Sequence, residues 1–153
     1  MCYNIYVRRF EYVICAESEE MQMSVNYYIL TKNKKIIERY GLSYEITDEP
    51  DFGYLVHLAQ TAGKYKPLFQ AHKEIRCIND LCKLIKTESD IQIYDEYRRP
   101  LTVQEFIDNV VLRDGESRFF ERPRFLNDYV FLSDYGRYFV DDGGNEFCED
   151  DFV

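Results

Sequence analysis

The side chains in this chain with chemistry to offer are two histidines, five cysteines, a pair of adjacent acids and a closing run of carboxylates. His57 joined by Asp95 or Glu96 would make a small acid–base enzyme. Asp95 and Glu96 are neighbours in "IYDEYRRP". Neighbours on a strand point to opposite faces, so two of them rarely act on one substrate atom. A turn over 95–100, with Asp95 favouring it and Tyr97 packing beside it, is the better reading. The cysteines Cys2, Cys15, Cys77, Cys82 and Cys148 are odd in number and irregular in spacing. They form no Cys-x-x-Cys pair, which argues against a zinc knuckle, and free thiols in a reducing cytoplasm are the default. A Cys–His nucleophile pair would meet in space and not in sequence, so it stays open as a geometry without a motif behind it. His57 and His72 are not spaced as a metal pair. The glycine-rich phosphate and dinucleotide loops and the Gly-x-Ser-x-Gly elbow are all absent.

The closing run is "DDGGNEFCEDDFV", in which six of the thirteen residues 141–153 are acidic. A calcium loop needs acids at positions 1, 3 and 5, glycine at 6 and glutamate at 12. Counted from Asp141, Glu146 falls on the glycine position and Phe152 on the glutamate position. Counted from Asp142, Val153 takes the glutamate position, so neither frame fits and no metal or other cofactor is expected. A purely solvated tail would not need Phe147 and Phe152. The expectation is a segment that docks by Phe147 and displays Glu149, Asp150 and Asp151. Asp141, Asp142, Glu146, Glu149, Asp150 and Asp151 are therefore the candidate surface for a protein partner. A second candidate is the basic and aromatic stretch Arg118, Phe119, Phe120, Arg122 and Arg124, because arginine and aromatics are favoured at contact centres.

Charge points the same way. The chain carries a net −9, and residues 114–153 hold 11 acids against 4 arginines. Residues 1–113 hold 17 acids against 15 bases, so the imbalance belongs to the last quarter. Such a field repels nucleic acid and anionic membranes and attracts basic partners. Of three small basic clusters, those around Lys32–Arg39 and Lys64–Lys73 read as solvated faces, and Arg118–Arg124 is the most interface-like. No stretch of about 18 apolar residues exists to span a membrane.

The elements that must hold these groups follow from composition and period. With 153 residues, 46% apolar and 16% aromatic, one globular domain with a core of ordinary size is expected. Strands are predicted at 25–31, 42–47, 54–60, 65–75 and 91–94, with a closing hairpin over 128–142. Residues 35–40 read as a second strand or one helical turn. Ile78, Leu81, Cys82 and Ile85 predict a helix over 78–87, capped by Asn79 or Asp80. Thr102 and Glu105 form a capping box that opens a helix within 101–112. The fold class is α+β: a mostly antiparallel sheet with these two main helices packed on one face. Met23 resembles a natural start, so 1–22 are an extension or an edge hairpin and 23–153 the domain, ending in the acidic segment 141–153.

Several pieces together resemble a loosely defined family of small bacteriophage and mobile-element proteins of unassigned activity. They are "NYYIL" (26–30), "YLVHLAQTAGKYKPLFQAH" (54–72), "IYDEYRRPLTVQEFIDNV" (93–110) and "DDGGNEFCEDDF" (141–152). His57, Gly63, Asp95, Glu96, Tyr97, Gly144, Phe147 and Phe152 match the family pattern by position. The family's Gly-Lys-Ser-Ser is Ala59-Gln60-Thr61-Ala62 here, which argues against a phosphate-binding loop. Its tryptophan is Tyr65 and its turn glycine is Arg98. The resemblance implies a phage or mobile-element origin and a similar fold, not a reaction. The functional expectation is a non-enzymatic, phage-encoded inhibitor of a bacterial defence system, anti-CRISPR-like, acting in the host cytoplasm. Its carboxylates would imitate a phosphate backbone and occupy the basic groove of a nuclease or effector. The alternatives are an immunity-type protein bound to a basic toxin, the small enzyme built on His57, and a phage structural or accessory protein.

Overall fold

The structure, a computed structural model, describes residues 24–49, 51–117 and 138–152. The extension 1–22 and the stretch from Arg118 to Arg124 lie outside the described residues. So do Cys2, Cys15 and the first strand of the expected closing hairpin.

The strands are β1 (Val25–Thr31), β2 (Glu45–Thr47), β3 (Gly53–Thr61), β4 (Leu68–Gln70), β5 (Gln92–Asp95), β6 (Pro100–Leu101), β7 (Tyr138–Val140) and β8 (Glu146–Cys148). They form one sheet in the order β6-β5-β1-β3-β4-β8-β7, with β2 also paired to β3. The class is α+β as expected, but the sheet is mixed, because β8 runs parallel to β4. Where two main helices were expected, three helical segments occur among the described residues: α1 (Lys34–Tyr40), α2 (Ile78–Thr87) and α3 (Val103–Phe106), the last running on as a π-helical stretch, Ile107–Val111.

Local chemistry explains most boundaries. Asn33 caps α1 by accepting from the Lys35 N–H, and Gly41 closes it in the left-handed region at φ 60. That settles 35–40 as helix and not strand. The capping box of Thr102 and Glu105 is present on α3. The helix begins only at Val103 because Pro100 and Leu101 pair with Tyr94 and Ile93 as β6. Residues 65–75 supply only the short β4. Beyond it the chain folds back on itself, with His72 and Ile75 exchanging backbone hydrogen bonds.

The core lies on the sheet face of Ile29, whose cross-strand partners are Val56 and Ile93. Ile36 and Ile37 of α1, Leu81, Leu84 and Ile85 of α2, and Phe106 and Val110 of the last helix join the same cluster. Phe147 of β8 is fully buried in it, stacked on Phe139 and tilted against Phe69. An α2 face of period 3.6 and strand faces of period 2 meet there, which is why both patterns were readable. Between Tyr27 and Tyr28 the β1–β3 register slips by one residue, so that Tyr28 lies opposite His57. This bulge is where the sheet face away from the core acquires its histidine.

Candidate functional site

The edge of β3 that faces away from β1 has two successive neighbours. β2 pairs with its first residues, Gly53 to Leu55, and β4 with Ala59 and Gln60. The strands part between them, around His57, and a cleft of about 450 Å³ opens there. Tyr28, Leu55, His57 and His72 form its floor. Ser43, Tyr44 and Glu45 make one wall, and Gln70 with Glu149, Asp150 and Asp151 makes the other.

His72 fills the gap in the ladder. Its Nε2 donates to the backbone oxygen of His57 at 2.9 Å, and its Nδ1 accepts the Ser43 N–H at 3.0 Å. One donor and one acceptor are all a neutral imidazole has. The side chain thus replaces the backbone bonds that a continuous neighbouring strand would make. Burial pulls its pKa below the ordinary value, against the hydrogen bond to the His57 carbonyl, which favours the charged ring. His72 is a structural histidine.

His57 is as buried as His72 but bonded differently. Its Nδ1 faces Oε1 of Gln70 at 3.1 Å, and its Nε2 faces Oδ1 of Asn26 at 3.0 Å. The Phe152 ring meets it edge-on at 4.7 Å between centroids, and Tyr28 lies 5.3 Å away. Burial lowers its pKa, while the Gln70 bond and the Asp151 charge oppose that. On the same floor the Tyr28 hydroxyl is pushed up to about 12, first by burial and then by Glu96, Glu45 and Asp151. Tyr28 is a neutral hydroxyl at physiological pH and no base.

The expected pairing of His57 with Asp95 or Glu96 takes a different form. Asp95 lies opposite Tyr27, on the strand position facing away from His57. Its carboxylate accepts from the N–H groups of Tyr97 and Arg99 and from Arg99 Nε, holding a turn. Arg98 in that turn adopts φ 64, a conformation that glycine takes without strain. Glu96 accepts from the backbone N–H and the side-chain amide of Asn26, and reaches His57 only through that amide. An amide cannot carry a proton between them at neutral pH.

The six closing acids divide. Asp141 is a hub: its Oδ1 accepts from the Gly143 and Asn145 N–H groups, and its Oδ2 from the Ile78 N–H at 2.8 Å. It therefore shapes the β7–β8 turn and also caps α2, whose own N-cap, Cys77, makes no side-chain bond. Neither Asn79 nor Asp80, the two expected caps, takes that position, and Asp80 instead accepts the Arg76 N–H. Glu146 is 1% exposed and belongs to the interior, not to a displayed surface. Asp142 is exposed at the hairpin tip, away from the cleft. Glu149 pairs with Arg76, which lies over the Phe139 ring. Asp150 and Asp151 are exposed at the cleft. The geometry thus brings together Glu149, Asp150 and Asp151 and adds Glu45, which sequence reasoning missed. No local signal marks Glu45; it lies more than a hundred residues from the other three.

Among the described residues no group of histidine, cysteine and acidic side chains is placed to hold a metal ion. Cys148 is buried, and burial pushes the Cys82 thiol above its ordinary pKa, so neither offers an activated thiolate. No helix among the described residues is long and apolar enough to cross a membrane. Comparison of the chain with protein-family models, with curated proteins and with solved structures finds no match.

Proposed function

We propose that the protein is a non-enzymatic binding protein that receives basic side chains of a protein partner in the cleft between β2 and the C-terminal segment. One observation carries the reading. Carboxylates from distant parts of the chain, Glu45 and Glu149 to Asp151, rim a cleft whose described lining includes Tyr28 and Tyr44 but no lysine or arginine. Aromatic faces and carboxylates together suit an arginine or lysine head group. The inward use of both imidazoles supports binding over acid–base catalysis.

In its concrete form the partner is a nucleic-acid-binding effector or nuclease of a bacterial defence system, and the protein is a phage-encoded inhibitor in the host cytoplasm. The rim would occupy part of the groove that phosphates otherwise fill. The test is capture of partners from a bacterial host lysate by the full chain, in parallel with a chain carrying Asp150→Lys and Asp151→Lys. The reading expects a basic nucleic-acid-binding protein that the wild type retains, the variant loses, and added DNA or RNA competes away. Equal retention by both chains would remove the cleft from the interface. A basic toxin in place of an effector would turn the reading to an immunity-type protein using the same rim.

A further inference from the structure

We propose that His57 is a proton sensor in the cleft floor: with a second proton on its ring, one N–H donates to Gln70 and the other to Asn26, and the added charge weakens the cleft's hold on a cationic side chain. The proposal rests on the reading of the cleft as a site for basic groups.

Hydrogen-bond direction carries it. A neutral imidazole has one N–H and one lone pair, whereas both ring nitrogens of His57 face amide oxygens. Neither amide is free to turn its NH2 group toward the ring. Gln70 Nε2 donates to the carbonyls of Cys148 at 3.2 Å and Asp150 at 3.1 Å. A flip would set Oε1 against both oxygens. Asn26 Nδ2 donates to the Glu96 carboxylate at 3.0 Å, while its Oδ1 also accepts from Gln60 Nε2 at 3.2 Å. A flip there would set an amide oxygen against a carboxylate. The neutral ring must therefore leave one nitrogen lone pair against an oxygen, and the imidazolium satisfies both contacts. His72, a few ångströms away, has one donor and one acceptor already matched and gains nothing from a proton.

The charges around His57 act in both directions. Asp151 on the C-terminal segment favours the imidazolium; Asp150, Glu45 on β2 and Glu149, which is paired with Arg76, line the same cleft, and Glu96 lies behind Asn26. Burial opposes it, as would a proton on His72 from the turn after β4. Tyr28 from β1 stays neutral. A cation in the cleft and a proton on His57 then draw on the same carboxylates. By linkage, each lowers the affinity for the other by the same factor.

The experiment follows the ring signals of His57 and His72 by NMR in the full chain from about pH 7.5 to about pH 5.5, a range that histidine titrates and carboxylates largely do not. It is run with and without a hexalysine peptide, whose affinity is measured at both ends. His57 is expected to titrate in the folded chain, with a midpoint that falls when the peptide is bound. Peptide affinity is expected to drop about five- to tenfold toward the acidic end. His57→Gln, which cannot take the proton, is expected to flatten that dependence. If this variant fails to fold, the wild-type titration decides alone. A His57 that stays neutral until the chain unfolds, or titrates with the same midpoint with and without bound peptide, overturns the inference and leaves the binding reading standing. A peptide that does not bind at about pH 7.5 overturns both.

Discussion

The closing segment divides into two parts of similar composition and opposite fate. From Asp141 to Cys148, apart from Asp142 exposed at the hairpin tip, the acids serve the fold: Asp141 holds a turn and a helix end, Glu146 lies inside, and Phe147 fills the core. From Glu149 to Asp151 the acids line the cleft. Both parts are acids punctuated by phenylalanine, so composition does not separate them. What separates them is where the parallel pairing of β8 with β4 ends, at Cys148 opposite Gln70. Up to that point backbone bonds are made to a neighbour strand and side chains alternate into the core. Past it the chain is held by Gln70 and by Phe152 against His57, and the carboxylates turn outward. An acidic run is thus no functional unit by itself; each carboxylate is used according to what its backbone neighbours leave it to do.

The largest break in this comparison is expected at Phe147. Phe147→Ala would leave a cavity between Phe69 and Phe139 and cost about 3–5 kcal/mol, measured as a lower midpoint in urea unfolding with little change in slope. Asp141→Ala is expected to cost about 1–3 kcal/mol, because the Ile78, Gly143 and Asn145 N–H groups all lose their acceptor. If thermal unfolding showed no shift for this variant, the division of labour between the two parts would be false.

Acid probes the cleft floor, of which His72 is part. Burial holds the His72 pKa below its ordinary value near 6.5, so near pH 6 the unfolded chain binds more protons than the folded one. Stability is then full above about pH 6.5 and declines as pH falls through the folded-state pKa, by up to ~1.4 kcal/mol per pH unit for one imidazole. Chemical unfolding at stepped pH reads this out, and His72→Gln should reduce the slope. The smallest stability effect belongs to the outward part. Asp150→Lys with Asp151→Lys is expected to change stability by no more than ~0.5 kcal/mol. The same pair should slow association with a basic partner and flatten its salt dependence. A large loss of stability in this pair would place the two acids with Asp141 and dissolve the comparison.

Some of this was legible in residue order alone. β1, the body of β3, α2 and the start of α3 follow from periods of two and 3.6 and from the capping box of Thr102 and Glu105, all of which act within a few residues, whereas the Asn33 cap that makes 35–40 a helix was not read. The docking of Phe147 was readable because an aromatic in an acidic run has no reason to be solvated. The turn at Asp95 was readable because aspartate bonds its own backbone neighbours. Other features rest on contacts between distant residues: the parallel β4–β8 pair, Asp141 capping a helix that starts 63 residues earlier in the chain, Glu45 beside Asp150, and His57 between two amides. Local order determined which elements form and which face of each is apolar, because those depend on neighbouring residues. Tertiary structure alone decided which carboxylates are spent inside, which reach the cleft, and whether a buried imidazole meets one acceptor or two, because each of those depends on what the fold brings opposite it.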